Sequence, residues 1–205
     1  MQLTSAKVAT DLRSLPADAS YAESSLANLG RQALVVVTST ALIAVCAHIS
    51  FALPFTPVPT TLQTFAVLLV GLVLGPARGF ATLLLYLAEG ALGLPVFSPQ
   101  GLGGVFQLLG PTGGFLVSYP LAAVLAGGLV RFFRRRIPRV PAAILAGILA
   151  SVPVFVLGAL WLAHLLRLSP AIAVSLAVTP FLGGEAVKIV AAALLYAALG
   201  RPKRA

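Results

Sequence analysis

From residue 31 onward, long apolar runs alternate with short breaks rich in proline, glycine or cationic residues, and the breaks define the elements. The first run extends from Arg31 to Leu53 and stops where Pro54, Pro57 and Pro59 crowd into LPFTPVPTT. Proline lacks the amide hydrogen that a helix needs, so this stretch is expected to be extended. A short run, Leu62 to Leu74, ends at Gly75-Pro76, and a third continues from Pro76 to Leu92, which predicts a tight turn between two helices. The glycine-rich stretch GLPVFSPQGLGGVFQLLGPTGG reads as a loop. A fourth run covers Thr112 to Leu129 and a fifth Val140 to Leu165. The last apolar stretch, Ala171 to Leu199, is too long for one untilted helix and contains Pro180. It predicts a short packed segment over 171 to 179, then a sixth helix from Pro180 onward.

Runs that approach the ~20 residues needed to cross a bilayer make this an all-α, integral membrane, six-helix bundle over residues 31–200. Residues 1–30 are polar and of mixed charge, and are expected to be a cytoplasmic tail rather than a secretory signal. Composition agrees: 59% of the 205 residues are hydrophobic and 9% charged, against about 25% charged in soluble domains. The single cysteine, Cys46, excludes an internal disulfide and a thiolate metal cluster.

The net charge of +9 would suggest nucleic acid in a soluble protein, but here the cations sit between apolar runs, facing lipid headgroups. Six spans place Lys7, Arg13, Arg31, Arg78, Arg131, Arg134, Arg135, Arg136, Arg139, Arg201, Lys203 and Arg204 on one side. Only Arg167 falls on the other. Cytoplasmic loops carry the excess of cations, so both termini are expected inside.

Two acids remain outside the tail, Glu89 and Glu185, and the second shares an apolar helix with Lys188. A charge at a helix centre costs roughly 2.5–3.5 kcal/mol on the insertion scale, so this pair needs a reason. Residues three apart share a helix face, which lets carboxylate and ammonium meet each other or a common ligand. One reading is a structural ion pair that closes the bundle. The other is a small-molecule pocket, because the pair would lie one to two turns from the outer surface, beneath two uncharged irregular connections. Irregular backbone at membrane depth is tolerated mainly where it is buried or lines a cavity. Tyr86 and Glu89, three apart on the third helix, would point at the same region.

Enzymatic chemistry finds no support: His48 and His164 are isolated, and neither a nucleophile elbow nor a Walker-type phosphate loop occurs. Gly75-Pro76 and Gly110-Pro111 both open helices, as inverted repeats do, but two short matches are explained more simply by ordinary turn chemistry. On the first helix, Thr40, Ala41 and Ala44 form a small-residue face that suits either a partner helix or packing within the bundle.

Four stretches together resemble the BioY family, the biotin-binding S components of energy-coupling-factor (ECF) transporters. They are PVPTTLQTF (57–65), YLAEGALGLPVF (86–97), GLGGVFQLLGPTGG (101–114) and PFLGGEAVK (180–188), so the resemblance spans about residues 31–200. It implies a high-affinity biotin-capture subunit in the bacterial inner membrane, with no catalysis or cofactor of its own. A transmembrane coupling subunit and two ATP-hydrolysing subunits would power import, the proline-rich loop would act as an outer lid, and Thr40, Ala41 and Ala44 would meet the coupling subunit. The site it implies comprises Glu185, Lys188, Gln63, Thr61, Tyr86, Glu89, Phe97, Gly103, Gly104 and Gly113. Lys188 could donate to a carboxylate or a carbonyl of biotin, and Glu185 could accept ureido hydrogens or orient Lys188. The family pattern favours aspartate where this chain has Glu185. The rival reading is an autonomous secondary transporter of biotin or a related small carboxylate.

Overall fold

The computed structural model describes residues 15–200, with side chains from residue 28 onward. Lys7, Arg13, Arg201, Lys203 and Arg204, and most of the tail expected over residues 1–30, lie outside the described side chains. The described elements are α1 (Leu15–His48), β1 (Ser50–Phe51), β2 (Thr60–Thr61), α2 (Gln63–Leu74), α3 (Pro76–Ala91), α4 (Gly104–Leu109), α5 (Gly113–Phe133), α6 (Arg139–Leu166), α7 (Pro170–Ala177), a 3-10 turn (Thr179–Phe181) and α8 (Leu182–Leu199). Among the described residues, four stretches are long and apolar enough to cross a membrane: Asn28–His48, Gly113–Phe133, Arg139–Leu166 and Pro170–Leu199, the last interrupted by the 3-10 turn. Gln63–Leu74 is a shorter apolar helix.

The chain divides into two compact units, residues 1–38 and 39–205. In the first, Thr38 donates its hydroxyl back to the Leu34 carbonyl one turn earlier, which satisfies a polar side chain on an apolar helix. The second holds the core.

Small residues decide how closely its helices pack. A Cβ added at Gly71 on α2 would stand 2.6 Å from the Ala123 carbonyl oxygen of α5, and one at Gly127 on α5 would stand 2.6 Å from the Gly71 carbonyl oxygen. The glycines let two backbones touch where any side chain would hold them apart. Ala122, Ala123 and Ala126 of α5 and Ala142, Ala143, Ala146 and Ala150 of α6 are buried, while large apolar residues such as Val117, Leu160 and Val187 are exposed, the arrangement expected of a bundle whose solvent is lipid. Gly75 joins α2 to α3 at φ +82°, which glycine adopts without strain, and Pro76 opens α3.

Two features depart from the run-by-run expectation. The first helix stops at His48, and Ser50 and Phe51 pair antiparallel with Thr61 and Thr60, so LPFTPVPTT is the tip and returning arm of a small hairpin. Within the glycine-rich stretch, Gly104–Leu109 forms a helix of six residues. Both are too short to leave a periodic signature.

Candidate functional site

The hairpin, α4 and the N-terminal turn of α8 gather at one end of the second unit and enclose a cavity of about 50 Å3. Thr61 from β2 and Gln63 and Thr64 from α2 form one wall, Gln107 of α4 and Thr112 another, and Glu185 and Lys188 of α8 the third. Phe115, Leu116 and Tyr119 of α5 and Val154 and Phe155 of α6 supply the apolar remainder, and Val58, Pro59, Ser98 and Phe181 complete it. A separate cleft of about 210 Å3 lies outside this cavity, between Pro57 and the Gln100–Gly101–Leu102 loop. Cavity and cleft share Pro59, Gln107 and Thr112 as a partition.

The ion pair lies near the start of α8. Helix α8 opens at Leu182, so Glu185 lies in its first turn, where the positive end of the helix dipole favours a carboxylate. Lys188 Nζ stands 3.1 Å from Glu185 Oε2, with the two side chains 11% and 5% exposed. Lys188 also donates to the Thr61 carbonyl at 3.1 Å and to Thr64 Oγ1 at 2.8 Å. Thr64 in turn donates to Glu185 Oε2 at 2.8 Å, and Ser151 of α6 donates to Glu185 Oε1 at 2.9 Å. Three helices and one strand thus meet at two side chains, and the buried charges are compensated by direct hydrogen bonds.

Gln63 is buried at the start of α2 and forms the centre of a second network. Its Nε2 donates to the Tyr86 hydroxyl at 2.6 Å, its Oε1 accepts from the Tyr119 hydroxyl at 3.4 Å, and the Tyr86 hydroxyl donates to the Val96 carbonyl at 2.8 Å. Gln107 is tied to the loop beside it: its Oε1 accepts from the Gly103 amide and its Nε2 donates to the Ser98 carbonyl, each at 3.2 Å. Outside the cavity, Gln100 clasps the hairpin to this loop, accepting from Ser50 and Ser98 hydroxyls at 2.5 Å each.

Of the ten binding residues implied by the resemblance, Glu185, Lys188, Gln63 and Thr61 line the cavity together. Tyr86 stands behind Gln63 as its hydrogen-bond partner. Phe97 packs edge-on against Tyr86, with ring centres 5.4 Å apart, over the bare face of Gly90. Glu89 points instead to α1, where it accepts from the Thr40 hydroxyl at 3.2 Å. Gly103 and Gly104 take positive φ to turn the chain into α4, and a Cβ at Gly113 would strike the Leu108 carbonyl; all three serve the chain path rather than the cavity wall. Of the three docking residues, Thr40 is buried, Ala44 packs partly against the core, and Ala41 is exposed. The structure adds Thr64, Gln107, Thr112, Tyr119 and Ser151, uncharged residues that nothing in the apolar runs singled out.

A mostly helical chain with several membrane-spanning stretches and a small cavity, bordered by a hairpin and a buried acid–base pair, defines a class: a multi-pass membrane protein. The sequence model of the BioY family matches residues 19–204, and the chain belongs to that family. It is 36% identical over 168 residues to the probable biotin transporter BioY of Pyrococcus horikoshii, covering 80% of this chain and 93% of that protein. It is 39% identical over 173 residues to the biotin transporter BioY of Rhodobacter capsulatus, covering 75% and 88%. The fold is similar to that of the S-component for biotin from an ECF-type ABC transporter, a 2.1 Å crystal structure, with a TM-score of 0.76 over 84% of this chain and 92% of that one, at 23% identity.

Proposed function

We propose that the protein is a biotin-capture subunit of an ECF-type importer: it binds biotin outside the membrane and hands it to partner subunits that hydrolyse ATP. The observation that carries this reading is the enclosed cavity in which Lys188, Glu185, Thr61 and Gln63 converge in a chain with so few charges. Biotin suits these walls. Its ureido ring and its carboxylate offer polar groups at opposite ends, and its thiophane ring and chain are apolar, as are Phe115, Leu116 and Val154.

The reading includes six spans, with α2 and α3 completing the four long ones and both termini in the cytoplasm. Arg131, Arg134, Arg135, Arg136 and Arg139 on the connection between α5 and α6, with Arg78 at the α2–α3 turn, support that orientation, since cations collect on the cytoplasmic side. The cavity then opens outward, and the hairpin acts as its lid. Ligand sites are typically ~300 Å3 or larger, whereas this cavity is about 50 Å3, so loading requires the hairpin and the α4 loop to part until cavity and outer cleft join. The partner surface is assigned to the small-residue face of α1 at Ala41 and Ala44, with Thr40 held inward by Glu89.

The test is a biotin titration of the purified chain, followed by uptake of labelled biotin into vesicles with and without a coupling subunit and two ATPase subunits. Saturable binding by the chain alone, with ATP-dependent uptake only in the full set, is the expected result. Ion-driven uptake by the isolated chain would overturn the subunit reading in favour of a secondary transporter.

A further inference from the structure

The hydrogen-bonding capacity of the ion pair is almost fully used within the chain. The Lys188 ammonium carries three hydrogens, and three acceptors lie within reach: the Thr61 carbonyl, Thr64 Oγ1 and Glu185 Oε2. Both oxygens of Glu185 are also engaged, Oε2 by Thr64 and Lys188 and Oε1 by Ser151. Ser151 is 4% exposed and does not line the cavity. It lies on the far side of the carboxylate, on an apolar groove of about 320 Å3 between α6 and α8 that is walled by Ile148, Val152, Ile189 and Val190. Glu185 and Phe155 border both spaces and together separate them.

This geometry assigns a direction to the acid. A carboxylate oxygen left facing an apolar groove without a donor loses stabilisation, and it would turn back toward the polar cavity. The Ser151 hydroxyl prevents that turn. We infer that Ser151 is a positioning residue of the binding site: by holding Oε1 of Glu185 it fixes the carboxylate whose Oε2 stands beside Lys188 at the cavity. The inference rests on the binding role proposed above. Its consequence is that Lys188 and Glu185 meet the ligand in one fixed arrangement, with the ammonium offered to a ligand oxygen. A ligand oxygen reaches Lys188 by replacing one of its three present acceptors, and Thr61, on the hairpin, is the one outside the carboxylate network.

The test uses the purified full-length chain and calorimetric titration with biotin. Ser151→Ala is expected to weaken binding about tenfold, the scale of a hydrogen bond to a charged group. Ser151→Thr, whose extra methyl has the adjoining groove to occupy, is expected to recover affinity to within about threefold, whereas Ser151→Val, equal in size but without the hydroxyl, is not. Ser151 and Thr64 hold one carboxylate, so Ser151→Ala combined with Thr64→Val should weaken binding by less than the product of the two separate effects. A general loss of packing would affect Thr and Val variants alike, and melting temperatures of the ligand-free variants identify any that fail to fold. Should Ser151→Ala destabilise the fold, the Thr and Val pair carries the comparison. Equal affinities of wild type and Ser151→Ala, equal affinities of the Thr and Val variants, or fully multiplicative effects would overturn the inference alone. Absence of saturable biotin binding by wild type would overturn the functional reading, and this inference with it.

Discussion

Glu185 and Lys188 are charged groups that the chain keeps at 5% and 11% side-chain exposure, and such pairs are maintained at a cost. Removing one partner of a buried pair strands the other and costs roughly 3–5 kcal/mol, whereas replacing both with apolar residues of similar volume is often neutral or stabilising. Lys188→Ala is therefore expected to lower the melting temperature and abolish detectable biotin binding. Glu185→Leu combined with Lys188→Met is expected to restore the melting temperature to wild type or above while biotin binding stays absent. A double variant that still binds biotin would return the pair to a purely structural role. Glu185→Asp tests the departure from the family pattern: with one methylene fewer, the carboxylate falls short of holding Ser151 and Thr64 together, and titration should show about tenfold weaker binding. The pair was legible in the sequence because two charges in an apolar run violate composition. Thr64, Tyr119 and Ser151 were not, since hydroxyls are unremarkable in membrane helices and only the crossing of α2, α5, α6 and α8 brings them to the same place. Tyr86 and Glu89 were singled out by helical spacing, which fixes a shared face but not which neighbour that face meets, and Phe97 entered only through the family resemblance.

The helices were legible for a different reason: their apolar runs are long and their breaks are proline, glycine or arginine. Gln63–Leu74 and Pro76–Ala91 fall within a residue of their expected limits because Gly75-Pro76 permits only a turn. The β1–β2 hairpin and Gly104–Leu109 escaped because two paired residues, or six helical ones, are fixed by tertiary contacts rather than by period. How closely helices approach was also hidden, since glycine reads as a helix-weakening residue until a partner backbone is seen against it. Gly127→Leu places a side chain 2.6 Å from the Gly71 carbonyl and 2.7 Å from the Gly75 carbonyl carbon, backbone atoms that have little freedom to retreat. The expected result is a loss of about 1–3 kcal/mol, read as a lower melting temperature in detergent. Gly128→Leu, on the same helix with nothing within 4 Å of the added Cβ, should change it little.

For the molecule as a whole, the orientation expected from the distribution of cations is open to direct test. Cys46 is the only cysteine and is buried, so a cysteine introduced elsewhere becomes the one exposed thiol. A membrane-impermeant maleimide added outside is expected to label Gln100→Cys and to spare Arg135→Cys until the membrane is opened. The reverse pattern would invert the proposed topology. Beyond orientation lies time. A chamber smaller than its guest must be parted once for arrival and again for departure, so tight capture comes with a long dwell, and affinity is set more by how rarely the walls open than by how often molecules collide with them. In the proposed cycle such a carrier stays loaded through many encounters in the plane of the membrane, and the trace vitamin it holds is released on the schedule of the partner that opens it rather than by its own leakage.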